Sequence, residues 1–296
     1  MPLEVAMNRR RTAAAASRIV TLGREMRALG RQARLMLGRR SAAHPPADAN
    51  RVVVFVHGLF ASAAVFDPMR RGVERRLGVA TDAFSYAPIG PFEKILEALD
   101  AHLARRLPAD ARVALVGHSL GGVLARALLL DAHWEHRVDR LITLATPHAG
   151  TRTARLLPSS LAAAVRPGSA LLRALERRPP SIPRFALVAG RDVMCTPPSS
   201  AAALPGARVV WFDRLGHNEL LFDPKVLDVV VRALATDGLE PAACAATASD
   251  PRTAPDASTS AHGRGADAVV ASHHPSCVSA TRAPHGPEAI KRSGKW

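Results

Sequence analysis

The sequence predicts an α/β fold, with a mostly parallel sheet of about six strands flanked by helices. Short apolar runs rich in β-branched residues alternate with stretches whose apolar residues recur at steps of three and four. This alternation favours parallel strands joined by right-handed helical crossovers. The polar motifs of the central region follow predicted strands, and ligands of such sheets bind beyond the carboxyl ends of the strands. The sequence therefore predicts a functional site along one edge of the sheet.

The predicted strands lie at residues 51–56, 80–86, 112–116, 138–145, 185–189 and 207–212. Helical spacing predicts helices at residues 63–77, 91–107, 120–132 and 224–238. Pro91 and Pro224 suit the first turn of a helix, and Asp223 suits the position that caps one. Residues 151–183 break the alternation and are rich in Ala, Leu, Arg and Pro, with helical stretches near 156–165 and 170–177.

The chain divides by composition into three parts. Residues 1–43 form a basic amphipathic helical segment, and residues 44–238 form the α/β domain. Residues 239–296 show no apolar periodicity and are rich in Ala, Ser, Pro and Gly, so we expect them to be disordered. His273, His274 and Cys277 in this tail have the residue types of a metal site, but a disordered tail does not hold ligands in place, and no metal is expected.

The net charge of +15 is unevenly distributed. Residues 1–40 hold ten Arg against Glu4 and Glu25, so about half of the net charge lies there. Aromatic residues make up only 4% of the chain and do not alternate with the basic residues as base-stacking surfaces require. We therefore expect no nucleic-acid partner.

The basic N-terminal segment has two distinct helical faces. Its apolar face comprises Ile19, Leu22, Met26, Leu29, Ala33 and Met36, and its basic face comprises Arg24, Arg27, Arg31 and Arg34. Three interpretations stay open: a helix packed on its own domain with a solvated Arg face, a helix on an anionic membrane surface, or a targeting or partner-binding segment.

The sequence predicts neither a signal peptide nor a spanning helix. Arg18 interrupts the stretch that would serve as a signal-peptide core, and no apolar run approaches about 18 residues. Three irregularly spaced cysteines match neither a disulfide framework nor a zinc pattern, which favours a reducing compartment. We expect a cytoplasmic protein, with peripheral membrane contact through residues 1–43 as one of the open interpretations.

A Gly-x-Ser-x-Gly pattern lies at residues 117–121, within VALVGHSLGGVLARA at residues 113–127. An apolar strand precedes the pattern and a helical spacing follows it, which is the context of a nucleophile elbow. Gly117 and Gly121 lack a Cβ, so strand and helix can approach closely around Ser119. The sequence therefore predicts Ser119 as a nucleophile, with the N–H of Leu120 directed at the substrate oxygen.

A serine nucleophile needs an oriented base. His217 is predicted as that base because no other histidine follows the last strand within the folded region. Asp192, two residues beyond the preceding strand, is predicted as the acid, and Asp213 is the second choice. The order Ser119, Asp192, His217 is the one that this architecture uses. Glu219 is expected to support the His217 loop.

Two backbone N–H groups must bind the oxygen that becomes negative in the transition state. Leu120 is predicted to supply one and Leu59, after the His57-Gly58 strand end, the other, with Phe60 as the next choice. Phe60 is also predicted to line the acyl pocket, and His148 to lie near the site as a substrate-binding or strand-end residue.

Residues 51–236 resemble the α/β-hydrolase superfamily, most closely its bacterial lipase and esterase branch. The resemblance is carried by VVVFVHGLF, VALVGHSLGG, LITLATPHAGT, LVAGRDVMCTPPSSA and LGHNELLFDP. Relatives with Thr-Pro-His at the corresponding strand end include triacylglycerol lipases and GPI inositol-deacylase-like proteins. The resemblance implies the same assignments for Ser119, Asp192, His217, Leu59 and Leu120. It also implies that residues 151–183 form a lid over the acyl pocket.

These observations predict a serine hydrolase that cleaves carboxylic esters of lipids or other apolar acyl groups through an acyl-enzyme. No metal or organic cofactor is expected, and the chain lacks the carboxylate pair that would match the calcium site of some bacterial lipases. A thioesterase or acyltransferase would use the same residues and stays an alternative. A non-catalytic binding protein of the same fold is the other alternative.

Overall fold

The computed structural model describes residues 2–38 and 45–235, with side chains described from residue 20 onward. The chain divides into one unit at Met1–Leu239 and another at Glu240–Trp296. The predicted disordered tail at 239–296, with His273, His274 and Cys277, lies outside the described residues, as does Gly238. The architecture given below is that of the first unit.

Six parallel strands form the sheet, in the spatial order β2-β1-β3-β4-β5-β6. The strands are β1 (Arg51–Val56), β2 (Ala80–Phe84), β3 (Arg112–His118), β4 (Val138–Leu144), β5 (Arg184–Ala189) and β6 (Arg208–Phe212). The sheet confirms the predicted α/β fold class and the positions of the predicted strands. β3 and β4 lie at the centre, and β1 pairs with β3 in a register that places Val56 opposite Gly117.

Helices cover both faces of the sheet. They are α1 (Pro2–Leu37), α2 (Asp67–Leu77), α3 (Phe92–Arg106), α4 (Leu120–Leu128), α5 (Ala132–Arg137), α6 (Ser160–Ala164), α7 (Ala170–Arg177), α8 (Ser199–Ala202) and α9 (Pro224–Ala235). Along β1, Val52 and Val54 belong to one core cluster, and Val53 and Phe55 belong to the other. This strand is therefore buried on both faces, as its β-branched run predicts.

Two helices depart from their predicted bounds. The predicted helix at 120–132 ends at Leu128, and α5 begins separately at Ala132, with the Asp131 side chain accepting from the N–H of His133. At 63–77, a short 3₁₀ segment (Ala63–Phe66) precedes α2. Pro68 lies in the first turn of α2, where the missing N–H of proline breaks no hydrogen bond. Asp223 accepts from the N–H of Lys225 at 2.8 Å and caps α9, as predicted.

The segment at residues 151–183 packs into the core. Leu161 of α6 and Leu172 and Leu175 of α7 belong to the same apolar cluster as α3 and α4. Arg126 of α4 donates to the carbonyl oxygen of Leu175 at 2.7 Å. The two short helices are thus anchored to the domain, and their role as a lid over an acyl pocket stays a prediction.

The N-terminal helix α1 packs against the domain through a polar face. Thr21, Glu25, Ala28 and Gln32 are buried, whereas Leu22, Met26 and Leu29 are exposed. Leu22, Met26 and Leu29 of the predicted apolar face are therefore turned outward, whereas Met36 of the same face packs against one core cluster. In the described part of the chain, no helix is both long and apolar enough to cross a membrane.

A buried acid links β2 to α3. Asp82 is fully buried, and its carboxylate accepts hydrogen bonds from His102 and Arg106, each at 2.9 Å. Burial alone would raise the pKa of Asp82, but the hydrogen bonds from His102 and Arg106 lower it. Nothing local in the sequence indicates that His102 has a partner on β2.

We predict that Asp82→Ala lowers the free energy of unfolding by about 3 kcal/mol, because it removes from a buried site the carboxylate to which both His102 and Arg106 are hydrogen-bonded. Urea denaturation at neutral pH measures the loss. Because the folded-state pKa of Asp82 is lowered, its contribution is present above the unfolded-state value and is lost as the pH falls through the folded-state value.

The matched control is Asp228→Ala, which breaks an exposed ion pair with Arg76. This pair should contribute less than about 1 kcal/mol, since solvent screens it. Equal losses for Asp82→Ala and Asp228→Ala would contradict the structural role of the buried cluster.

Candidate active site

Ser119 lies at a strained turn between β3 and α4. Its φ of 54° and ψ of −125° place a non-glycine residue in a sparsely populated region, which persists only where the surrounding structure enforces it. The N–H of Ser119 donates to the carbonyl of Leu144 at 2.9 Å, which ties the turn to the end of β4. This is the strand, turn and helix geometry that the sequence predicts for a nucleophile elbow.

Two glycines are required by close approach at this turn. A Cβ on Gly58 would lie 2.8 Å from the Cβ of Ser119, so the loop after β1 directly adjoins the serine. A Cβ on Gly121 would overlap the carbonyl oxygens of Val56 and His57 at the end of β1. The structure thus brings the predicted nucleophile and the predicted oxyanion loop together.

Asp192 and His217 form a buried hydrogen-bonded pair. The Nδ1 of His217 lies 2.8 Å from the Oδ2 of Asp192, and both side chains are at least 95% buried. The other carboxylate oxygen of Asp192 accepts from the backbone N–H groups of Met194 at 2.8 Å and Cys195 at 2.7 Å. Since a carboxylate only accepts, Nδ1 carries the proton and Nε2 is left with a lone pair. His217 therefore has the tautomer that a general base needs.

The alternative acid lies elsewhere. Asp213 is exposed, and its backbone adjoins Gly190, whereas Asp192 contacts His217 directly. Glu219 accepts from the N–H of Gly216 at 2.8 Å and so supports the His217 loop, as expected from the sequence.

His118 holds the backbone of His217. Its Nε2 lies 3.1 Å from the carbonyl oxygen of His217, and the two ring centroids are 4.7 Å apart. Burial, and then the charge of His217, lower the pKa of His118 well below its ordinary value, so this ring is neutral. His118, next to Ser119 in the chain, thus contacts the loop that carries His217.

The loop after β1 is oriented by His57. Its Nδ1 lies 2.7 Å from the carbonyl oxygen of Gly58, and its ring stacks on Tyr86 with centroids 4.3 Å apart. The N–H and C=O of a trans peptide point in opposite directions, so the N–H of Leu59 is directed away from the His57 ring. Leu120 lies in the first turn of α4, where N–H groups have no acceptor within the helix. Both predicted oxyanion donors thus lie on segments that adjoin Ser119.

The two predicted substrate-binding residues lie in different surroundings. Phe60 has a φ of 58°, follows the oxyanion loop and is 58% exposed. His148 is buried, and its Nε2 lies 3.0 Å from the hydroxyl of Thr143. It lines a cavity of about 130 Å³ with Arg126 and Glu176, and the cavity lining includes none of Ser119, Asp192 and His217. A role for His148 in substrate binding stays a prediction that no contact with the triad supports.

Charge distinguishes His217 from the other buried histidines. Burial lowers the pKa of His57 to about 4 and that of His148 to about 3. Burial would also lower the pKa of His217, but the neighbouring and hydrogen-bonded Asp192 raises it, with a further contribution from Glu25. His217 is therefore the histidine of this group that can accept and hold a proton near neutral pH.

Glu25 of α1 is a site neighbour that the sequence reasoning missed. It is 5% exposed, and its carboxylate accepts from the backbone N–H of Asn218 at 2.8 Å and from its side-chain amide at 2.6 Å. Arg191, which precedes Asp192, donates to the hydroxyl of Thr21 at 2.8 Å. One feature of the sequence could have identified Glu25: it is the sole acidic residue between Glu4 and Asp48.

Other nucleophilic or metal-binding groups do not join this site. Cys195 is buried, burial raises the pKa of its thiol to about 12, and its side chain packs with Val188 and Ala201. Across residues 20–38 and 45–235, no group of three or more His, Cys, Asp or Glu side chains is arranged to hold a metal ion.

A family model described as a PGAP1-like alpha/beta domain matches residues 92–155, which include β3, Ser119 and α4. No curated protein matches the chain in sequence.

Several solved structures share the fold. The mature lipase BlEst2 of Bacillus licheniformis is 17% identical with a TM-score of 0.50, over 65% of this chain and 96% of the lipase. Its propeptide form is 18% identical with a TM-score of 0.51, over 69% of this chain and 54% of that one. The lin2722 gene product of Listeria innocua is 11% identical with a TM-score of 0.51, over 64% of this chain and 96% of its own. At these low sequence identities, the similarity to the three structures shows a shared fold.

We predict that Glu25→Gln lowers the pKa of His217. The amide oxygen of Gln can still accept from Asn218, whereas the negative charge that raises the pKa is lost. Titration of the imidazole resonances by NMR measures the change.

The control for this titration is Glu97→Gln on α3. It removes an exposed carboxylate that is paired with Lys94. It should leave the His217 titration unchanged. A pKa that moves equally in both variants, or in neither, would contradict the electrostatic role of Glu25.

Proposed function

From the α/β-hydrolase fold of this chain, we propose that it is a serine hydrolase that cleaves carboxylic esters of apolar acyl groups. The observation that carries the proposal is that two groups of residues lie at the same edge of the sheet. One is the strained Ser119 turn beside the Gly58 loop, and the other is the buried pair of Asp192 and His217. His118 links the two, because it precedes Ser119 and contacts the His217 backbone.

In the first half of the proposed reaction, the hydroxyl of Ser119 attacks the ester carbonyl while Nε2 of His217 takes its proton. The Asp192 carboxylate stabilises the imidazolium through Nδ1. The N–H groups of Leu120 and Leu59 bind the oxygen that becomes negative, and loss of one such donor typically lowers the rate by about 10²- to 10³-fold. The alcohol then leaves with the proton from His217, and the acyl group stays on Ser119.

In the second half, His217 takes a proton from water as the water attacks the acyl-enzyme. The acid leaves when the proton returns to Ser119. Each step needs only the side chains and backbone groups already described, and the proton passes between Ser119, His217, the alcohol and water.

Apolar side chains near the site support an apolar acyl group. Phe60 follows the oxyanion loop, and Val193 and Met194 follow Asp192 directly, and all three are exposed. Exposed apolar side chains on adjoining loops are typical of a surface that binds an apolar ligand. The resemblance to the lipase and esterase branch points to the same substrate class.

We predict that the purified chain hydrolyses p-nitrophenyl esters and that Ser119→Ala lowers kcat/KM by about 10⁴- to 10⁶-fold, because the nucleophile is removed. A series from acetate to palmitate, measured by release of p-nitrophenol, gives the preferred acyl length. Ser181→Ala, which removes an exposed hydroxyl beyond α7, is the matched control and should retain full activity.

Equal background rates for the wild type and Ser119→Ala on every ester would overturn the proposal. Acyl thioesters of matched chain length should then be tested, since activity confined to them would favour the thioesterase alternative. Loss of activity in Ser181→Ala would indicate a general effect of substitution on folding.

We also predict that kcat/KM rises with pH with a midpoint above 6.5. The base must be neutral to accept the serine proton, and Asp192 and Glu25 raise the pKa of His217 above that value. Rates with a short soluble ester across the pH range measure the midpoint, and Glu25→Gln should move it to lower pH. A midpoint below 6.5 in the wild type would exclude His217 as the base in this form.

A further inference from the structure

The outward face of α1 carries an apolar stripe. Leu22, Met26, Leu29 and Leu37 recur at helical spacing, with exposed fractions of 62%, 59%, 40% and 83%. Side chains at such steps lie on one face of a helix. These four exposed apolar residues lie on the outward side of α1, and we call them the apolar stripe.

The apolar stripe is held outward by the polar contacts of the opposite face. Glu25 is hydrogen-bonded to Asn218, and Thr21 to Arg191. If the helix rotated to bury the apolar stripe, the buried Glu25 carboxylate would lose these partners and Asn218 would lose its acceptor, at the cost of unpaired polar groups. The polar contacts of the buried face of α1 thus keep the apolar stripe exposed.

A basic band borders the apolar stripe. Arg27, Arg31 and Arg34 are exposed on the adjacent face of α1, and no acidic residue occurs between Glu25 and Asp48. Arg31 lies over the ring of Phe222, 4.7 Å from its centroid, which keeps one edge of the band close to the domain. An apolar face flanked by arginines is complementary to a surface that is apolar inside and anionic at its boundary.

The apolar stripe lies at the same edge of the sheet as the candidate active site. α1 contacts the 3₁₀ segment at Ala63–Phe66, which follows β1. It also contacts Arg191 after β5 and Asn218 after β6. All three segments follow the carboxyl ends of strands, where Ser119, Asp192 and His217 also lie.

We propose that the apolar stripe and the basic band of α1 bind an anionic lipid surface, with the active-site edge of the sheet toward that surface. The apolar side chains enter the acyl boundary and the arginines pair with anionic headgroups. The inference deepens the proposed function, on which it rests for its substrate, because it makes esters held in a lipid layer the substrate class.

The test is co-sedimentation of the full chain with vesicles of phosphatidylglycerol and phosphatidylcholine in equal parts, and with vesicles of phosphatidylcholine alone. We expect binding to the anionic vesicles that weakens at high salt. The triple variant Leu22→Gln, Met26→Gln, Leu29→Gln should lower the partition coefficient by about a hundredfold, because three exposed apolar side chains no longer leave water.

The matched control is the double variant Val209→Gln, Trp211→Gln, which removes exposed apolar side chains from the edge strand β6. It should bind vesicles as the wild type does. Circular dichroism and thermal unfolding of each variant establish that the fold is retained, as expected for exposed positions. Arg27→Gln with Arg34→Gln should weaken binding to anionic vesicles and remove most of the salt dependence.

Binding is measured in parallel on Ser119→Ala, which should partition as the wild type does. Failure of ester hydrolysis with intact vesicle binding would overturn the proposed function and leave the surface assignment standing. Binding that the folded triple variant retains, or no wild-type binding to anionic vesicles, would overturn the surface assignment alone. A third outcome is that the wild type binds no vesicles but forms a dimer in solution, and that the triple variant is monomeric. This outcome would instead assign the apolar stripe to contact with a second copy of the chain.

Discussion

The site depends on the close approach of the first turn of α4 to the end of β1. The backbone of Gly121 lies against the carbonyl oxygens of Val56 and His57, in a space that admits no side chain. This approach sets the Ser119 turn beside Gly58, and the hydrogen bond from Ser119 to Leu144 fixes the other side. Ser119 and the segments that carry the proposed oxyanion donors Leu59 and Leu120 therefore meet where the ends of β1 and β3 adjoin the first turn of α4.

Burial gives the histidines around this junction different chemistry. It leaves His57 and His118 uncharged, and each then uses its ring as a hydrogen-bonding group for a neighbouring carbonyl. His217 is equally buried but faces the Asp192 carboxylate, so its protonated form is stabilised. Whether a carboxylate lies opposite therefore decides whether a buried histidine of this site has a lowered or a raised pKa.

The sequence predicted features whose signals are local. Burial of β1 on both faces follows from its β-branched run, and the Ser119 turn follows from glycine spacing between a strand and a helix. Asp192 and His217 could be named because each lies just after a strand, and parallel strands bring such positions to one edge. The structure pairs these two side chains, although their sequence separation is 25 residues.

The features that the sequence did not predict are contacts between polar groups far apart in the chain. Helical periodicity identified the apolar face of α1 but not which face packs inward, because that depends on Asn218, 193 positions from Glu25. Asp82 and His102 form a pair for which neither strand nor helix pattern gives a signal. Such pairs satisfy individual buried groups, and a single pair leaves no repeating pattern in the sequence.

The hydrogen bonds of Glu25 couple the docking of α1 to the conformation of the His217 loop. They join the outer helix to the loop that carries His217, so the docked helix and the ordered loop share part of their stability. Thermodynamic linkage is reciprocal. Any ligand that binds the docked form of α1 better than the released form therefore favours the ordered loop. A substrate that orders the loop in turn strengthens the binding of that ligand, and each changes the affinity of the other by the same factor. If the proposed surface binding and the proposed catalysis both hold, the hydrogen bonds of Glu25 to Asn218 couple the two.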